Sequence, residues 1–254
     1  MAIFDIHGHI GSVNSLRAPW DFLNIMTEDL LKRMDKCGVA QTCLFAVPQP
    51  SLAVLSECQR HNDVVAQAVR RYRDRFIGIC VTTPHTGDDM GVGEVKRTVE
   101  KYGFRGVKFQ SNRMGFDLRV DVLGHIFETC IDYNIPVLIH TGDSRTSPDR
   151  VGYLTLAHPK LAVVMLHAGG RSDFYYYAPE VARLTPNIVL ETSGVGSGAI
   201  RHAVKMIGAK RLVFGSDSPY GPLEGPIGAV KNAGLTPEEE EAILNLNARA
   251  LIRP

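Results

Sequence analysis

Eight short apolar runs, each followed by a stretch of helical spacing, recur along the chain and limit what it can fold into. The runs are Ala2–His7, Thr42–Val47, Phe76–Val81, Gly106–Phe109, Pro136–His140, Ala162–His167, Ile188–Glu191 and Arg211–Gly215. Most are nearly continuous in apolar side chains rather than alternating, which marks strands covered on both faces. Amphipathic stretches lie between them, over Glu28–Lys36, Val64–Tyr72, Glu94–Tyr102, Val122–Tyr133, Pro179–Leu184 and Gly198–Ile207. Strand alternating with helix calls for a parallel sheet with its helices outside. Eight such units in 254 residues fit a single (β/α)8 TIM barrel better than an open sheet. Thr236-Pro237-Glu238-Glu239 is a capping box with proline at the first helical position, so an additional C-terminal helix is expected to run past Ile243, Leu244 and Leu251. No linker or low-complexity tract divides the chain, and residues 1–254 read as one domain.

The charge balance narrows the partners. Lys plus Arg total 28 and Asp plus Glu total 27, so no field of one sign is available to attract nucleic acid or an anionic membrane. A small-molecule substrate is expected, and the composition leaves a homo-oligomer open. The five cysteines, Cys37, Cys43, Cys58, Cys80 and Cys130, form no C-x-x-C pair and sit in apolar stretches. They read as reduced thiols of a cytoplasmic protein rather than a disulfide framework. No apolar run reaches membrane-spanning length, and a cleaved leader would discard His7 and His9.

Those two histidines begin the chemical argument. In Asp5-Ile6-His7-Gly8-His9, residues two apart on a strand share a face, so Asp5, His7 and His9 can converge while Phe4 and Ile6 pack the other way. Further polar residues fall at strand ends, where a barrel builds its site. Val137-Leu138-Ile139 ends in His140, Val164-Met165-Leu166 in His167, and Val213-Phe214-Gly215-Ser216 in Asp217, while Lys108 lies in the fourth run. Each alone has an ordinary explanation, a capped core histidine or a turn aspartate. Together at the ends of strands one, five, six and eight they point to a metal site. His61, His85, His125, His158 and His202 lack this placement and read as surface or packing residues; Asn247 reads as a loop anchor.

The set Asp5-x-His7-x-His9, Gly106-Val107-Lys108, Ile139-His140-Thr141-Gly142, Leu166-His167-Ala168-Gly169-Gly170, Gly215-Ser216-Asp217 and Asn247 resembles the amidohydrolase superfamily. It is most similar to the amidohydrolase-related branch of small-ring hydrolases, lactonases and nonoxidative decarboxylases. The resemblance implies a metal-dependent barrel whose ligands are His7, His9, His140 and Asp217, with His167 as the sixth-strand histidine.

Three neutral imidazoles and a carboxylate suit a divalent ion, one Zn²⁺ first and Mn²⁺ as the alternative. The expected reaction is attack of metal-bound hydroxide on the carbon of a small amide, lactone or ester, with Asp217 accepting a proton and His167 orienting water or stabilising the oxyanion. Lys108 is expected to face the substrate. A carboxylated lysine bridging two metals, as in the binuclear branches, or a salt bridge to Asp5 or Asp217, stays open. Arg145 can hold a substrate carboxylate or stand as a solvated loop arginine. Trp20 with Arg17, Tyr175-Tyr176-Tyr177 and Ser193 are further candidates for the mouth. The alternative reaction is metal-dependent, nonoxidative decarboxylation of a small aromatic or unsaturated acid; the resemblance ranks it second because such relatives tend to be longer. A phosphoesterase or nuclease would usually carry a glutamate where Lys108 stands.

Overall fold

The computed structural model describes residues 2–12, 24–25, 27–85, 88–170 and 174–253. Every expected run contains a strand. β1 (Ile3–Ser12) is followed by a short β2 (Asn24–Ile25) and by β3 (Val39–Ala46). The third run holds β4 (Phe76–Gly78) and β5 (Cys80–Val81). Then come β6 (Val107–Phe109), β7 (Val137–His140), β8 (Val163–Leu166), β9 (Ile188–Glu191) and β10 (Leu212–Val213). The helices are α1 (Thr27–Cys37), α2 (Leu55–Arg71), α3 (Asp88–Tyr102), α4 (Ser111–Met114), α5 (Val120–Asp132) and α6 (Pro148–Ala157). They continue as α7 (Phe174–Leu184), α8 (Ser197–Ile207), α9 (Glu224–Lys231), α10 (Pro237–Glu241) and α11 (Asn247–Leu251).

The ladders run parallel in chain order, β1–β3–β4 and then β5 through β10, with only β2 antiparallel, against β1. The third run is split because it changes partners midway. β4 pairs with β3 and β5 with β6, while the Ile79 N–H donates to the Leu44 carbonyl (2.8 Å) and the Cys80 N–H to the Gly106 carbonyl (2.8 Å). No ladder joins β10 to β1 among the described residues. That seam is instead crossed by the Ile6 N–H to the Phe214 carbonyl (3.0 Å), the His9 N–H to the Ser218 carbonyl (2.8 Å) and a lone Gly8–Ser218 bridge. The result is a (β/α)8 barrel.

Burial explains why these runs are strands. Val137, Leu138 and Ile139 of β7, and Val163 to Leu166 of β8, are fully buried, as strands sandwiched between a barrel interior and a helix layer must be. The helices bury single stripes, such as Ala199, Ile200, Ala203 and Val204 in α8. Four cysteines are buried and Cys37 is partly exposed, all unpaired. No helix among the described residues is long and apolar enough to cross a membrane.

The C-terminal segment begins with the expected capping box, the Glu239 N–H donating to Thr236 Oγ1 and the Thr236 N–H to Glu239 Oε2. A π-turn over Ala242–Leu246 then carries the chain into α11. Asn247 acts as the expected anchor, its Nδ2 donating to the carbonyls of Ala209 (2.8 Å) and Leu212 (2.7 Å) beside β10.

Register then sets the site. β7 and β8 pair Ile139 with Met165 and His140 with Leu166, so His140 and His167 emerge side by side. The loops above them touch through backbone: Thr141 Oγ1 donates to the Leu166 carbonyl and accepts from the Gly169 N–H (3.0 Å). Gly170 has a φ of +80°, and a Cβ there would overlap the Thr141 carbonyl. Gly170→Ala is therefore expected to cost about 2 kcal/mol or more, which a thermal melt would read as a fall in Tm of roughly 4–8 °C.

Candidate metal centre

Alternation along β1 puts Asp5, His7 and His9 on one face, and all three are buried. Asp5 is the structural member. Its Oδ1 accepts from the His7 N–H (3.0 Å) and the Ser216 N–H (2.9 Å), and its Oδ2 from Ser216 Oγ (2.6 Å). This clamp fixes the end of β10 against β1 and delivers the next residue, Asp217, opposite the histidines. Asp217 has a φ of +55°, a left-handed backbone that a non-glycine residue adopts only when its surroundings impose it.

Three ligand atoms converge as a result. His7 Nε2 lies 3.2 Å from His9 Nε2, while Asp217 Oδ1 lies 3.1 Å from the first and 2.9 Å from the second. Nitrogen and oxygen ligands about 2.0–2.1 Å from one ion at tetrahedral angles stand about 3.3 Å apart. The spacing and the chemistry of the donors both fit a divalent metal.

A second group shares His7. Glu191, at the end of β9, is fully buried. Its Oε2 accepts from His7 Nδ1 (3.2 Å), the His167 N–H (2.9 Å) and Ser193 Oγ (2.7 Å). Gly215 makes room for it, since a Cβ there would overlap Glu191 Oε1 and press on His7 Cβ at 2.8 Å. Glu191 is the member of this cluster that the sequence reading did not single out. The available signal was an acid ending a wholly apolar strand.

His167 bridges the remaining histidine. Its Nδ1 lies 2.8 Å from Ser193 Oγ, and its Nε2 lies 3.1 Å from His140 Nδ1. His167 and Ala168 are both left-handed, with φ of +61° and +42°. Of the expected ligands, His7, His9 and Asp217 form one cluster, whereas His140 stands one ring away, against His167.

Charge in this pocket is tightly coupled. Burial alone would depress His7, but Asp217 and then Glu191 hold it at about 9. Burial drives His9 down to about 4 and lowers His140 and His167 as well. Asp217 sits well below the carboxylate range because, against the cost of burial, His7 and His9 favour its charged form. Lys108 is buried, falls to about 7 on desolvation, and its Nζ has no hydrogen-bond partner among the described residues; it lies 5.5 Å over the Phe45 ring.

The other expected contacts are placed less closely. Arg145 is exposed in the turn after β7, where its N–H donates to Asp143 Oδ1 (2.8 Å) and no ion pair holds its guanidinium among the described residues. Tyr175 donates to the Gly194 carbonyl (2.8 Å), and Tyr176 and Tyr177 are exposed. The loop after β10 adds an aromatic the sequence reading did not name, Tyr220, whose ring stands edge-on to His9 at 5.3 Å. Arg17 and Trp20 lie outside the described residues.

Fold and site together define a barrel with a ring of imidazoles and carboxylates at the C-terminal ends of its strands. The chain belongs to the amidohydrolase family, whose model matches residues 5–253. Among solved structures it is similar to 5-carboxyvanillate decarboxylase from Sphingomonas paucimobilis, at 16% identity over 99% of both chains with a TM-score of 0.83. It is also similar to a dihydroxybenzoic acid decarboxylase from a Polaromonas species with bound manganese (17% identity, 99% of this chain and 96% of that one, TM-score 0.80). A third is 4-oxalomesaconate hydratase from Rhodopseudomonas palustris (19%, 98% and 95%, TM-score 0.74). These matches run nearly end to end, over 96% or more of the decarboxylase chains.

A metal ion and a proton compete for His7 Nε2. With a pKa of about 9, His7 carries that proton at neutral pH in the metal-free protein, and loading must expel it. Zn²⁺ affinity is expected to climb about tenfold per pH unit from neutrality towards pH 9 and to flatten above it. Chelator competition across that range measures the slope, and a flat profile contradicts it.

Proposed function

We propose that this chain is a metal-dependent nonoxidative decarboxylase of a small aromatic or unsaturated carboxylic acid. The observation that carries the reading is Lys108, a buried cationic side chain beside the metal cluster with no anion of the protein hydrogen-bonded to it. An unpaired buried ammonium is costly and a substrate carboxylate relieves it. A neutral amide or lactone does not. The decarboxylases among the similar structures support the same choice.

In this reading His7, His9, His140 and Asp217 hold one divalent ion, Zn²⁺ by the preference of imidazole ligands or Mn²⁺ as in the Polaromonas protein. The ion supplies Lewis-acid polarisation of substrate oxygens. Lys108 pairs with the carboxylate and orients it, and Arg145 closes on the far end of the acid if its turn folds inward. Asp217, ionised at rest, takes the proton that a substrate hydroxyl gives up on binding and returns it to the carbon as that carbon's bond to the departing CO₂ breaks, the product oxygen regaining a proton from water on release. His167 faces the developing negative charge. The unpaired thiols and balanced charge accord with a small-molecule enzyme of the cytoplasm. Hydrolysis of an amide, lactone or ester is the second reading, favoured by the ionisation of Asp217, a ready base for water.

Product analysis separates the two. With 2,6-dihydroxybenzoate, 5-carboxyvanillate and a lactone panel, the metal-loaded protein is expected to release CO₂ and to stop when treated with chelator. Lactone opening without CO₂ release establishes hydrolysis instead. Lys108→Met is expected to raise KM at least tenfold, the usual scale for removing one partner of a buried charge pair, while leaving bound metal at one per chain. A stoichiometry near two, lost in Lys108→Ala, makes Lys108 a bridging ligand.

A further inference from the structure

Resting on the metal-centre reading above, we propose that Glu191 fixes the tautomers of three imidazoles, His7, His167 and His140, through one directional chain of hydrogen bonds. The chain leaves Nε2 of His7 and Nε2 of His140 as lone pairs available to a metal ion. Glu191 is thus a positioning residue for ligands on strands one and five, although it is not itself in the His7–His9–Asp217 cluster.

The direction follows from what each atom can do. An ionised carboxylate only accepts. Each oxygen of the Glu191 carboxyl accepts a backbone N–H, Oε2 from His167 and Oε1 from Ser193, as an ionised carboxylate does. Its Oε2 lies 3.2 Å from His7 Nδ1, so that nitrogen keeps its hydrogen, and Nε2 is the atom that gives up its proton to become the metal's lone pair. Oε2 also lies 2.7 Å from Ser193 Oγ, so the only hydrogen of this hydroxyl is directed at the carboxylate.

Ser193 Oγ then has only acceptor capacity for His167 Nδ1, 2.8 Å away. The Ser193 carbonyl, which can only accept, lies 3.4 Å from the same nitrogen and demands the same polarity. His167 is therefore protonated at Nδ1, and its Nε2 is an acceptor. The group within 3.1 Å of that acceptor is His140 Nδ1, which must donate. One ring later, His140 Nε2 is left unprotonated. The path runs from His140 through His167 and Ser193 to Glu191, while His7 reaches the same carboxylate directly. A carboxylate behind a ligating histidine is a known determinant of metal affinity, and its loss usually weakens binding by 10–100-fold. Here one carboxylate serves two candidate ligands, one of them through two intermediaries.

The test is the long-range ¹H–¹⁵N spectrum of the histidines in ¹⁵N-labelled protein with and without Zn²⁺, together with Zn²⁺ affinity by chelator competition. In the zinc-loaded wild type His7, His140 and His167 are expected in the Nδ1–H form. Ser193→Ala removes the hydroxyl at 2.8 Å but keeps the carbonyl of residue 193 at 3.4 Å from His167 Nδ1, so it is expected to leave His7 as it was while His167 and His140 become mixtures of the two tautomers. Glu191→Gln is expected to weaken Zn²⁺ binding by about 10–100-fold. An Nε2–H tautomer at His140 or His167 in the wild type overturns the proposal, as does unaltered His140 and His167 in Ser193→Ala. Unchanged Zn²⁺ affinity in a folded Glu191→Gln protein overturns it too. A wild type that takes up no Zn²⁺ sinks the metal reading alone, and the tautomers of His140 and His167 in the metal-free spectrum then decide the chain.

Discussion

The clamp of Asp5 on Ser216 is the contact on which the rest of this barrel depends. Parallel strands elsewhere are joined by ladders, but at the seam between first and last strands only scattered backbone bonds cross. Both carboxylate oxygens of Asp5 are satisfied there, one by two backbone N–H groups and the other by a hydroxyl. Burial nevertheless raises Asp5 to about 7, so the charged form is held by those donors and by the charge of His7. Such a group is costly to bury and costlier to leave unpaired. The return for that cost is position: the clamp orients His7 on one side of the seam and Asp217 on the other.

From that seam the two halves of the site diverge in design. The His7–His9–Asp217 side is built by β1 and the loop after β10, with Asp217 in a strained backbone. The His140–His167 side is built by the in-register pairing of β7 with β8 and by close backbone contact at Gly170. Glu191 joins them, because β9 lies next to β8 and its terminal side chain reaches back to His7. Each half can be aligned by its own local constraints, and one buried carboxylate then holds the two in register.

The sequence carried the strands better than the contacts between them. Near-continuous burial on two faces leaves a strong signal in one segment, which is why all eight strands were legible. The split at Ile79 was not, because a change of partner leaves no mark on hydrophobic periodicity. Nor was the early start of α2 at Leu55, nine residues before the amphipathic stretch beginning at Val64, since Leu55, Cys58, His61 and Asn62 bury a mixed face. His7 and His9 were legible because β-alternation alone makes them neighbours. Glu191 and His7 are 184 residues apart, and their meeting exists only once the barrel closes. The same holds for His140, whose strand-end placement was clear while its orientation depends on His167.

Buried charge links the architecture to the chemistry. Glu191 and Asp217 contribute two negative charges to a poorly solvated mouth. A divalent cation would balance them, leaving Lys108, with a pKa of about 7, without a counter-charge of its own. A neutral substrate keeps it in that state, with the proton held weakly. A carboxylate brings one negative charge and raises the affinity of Lys108 for its proton, so that substrate and lysine are neutralised as a pair. When Asp5, whose proton is held at about 7, is neutral, the pocket is electrically closed only when metal and anion are both present. A desolvated charge imbalance costs far more than a misplaced methyl group, so in the proposed decarboxylase this condition would select acids over neutral molecules of the same shape. On the proposed reading, Lys108 is the feature that turns this metal barrel towards carboxylate chemistry.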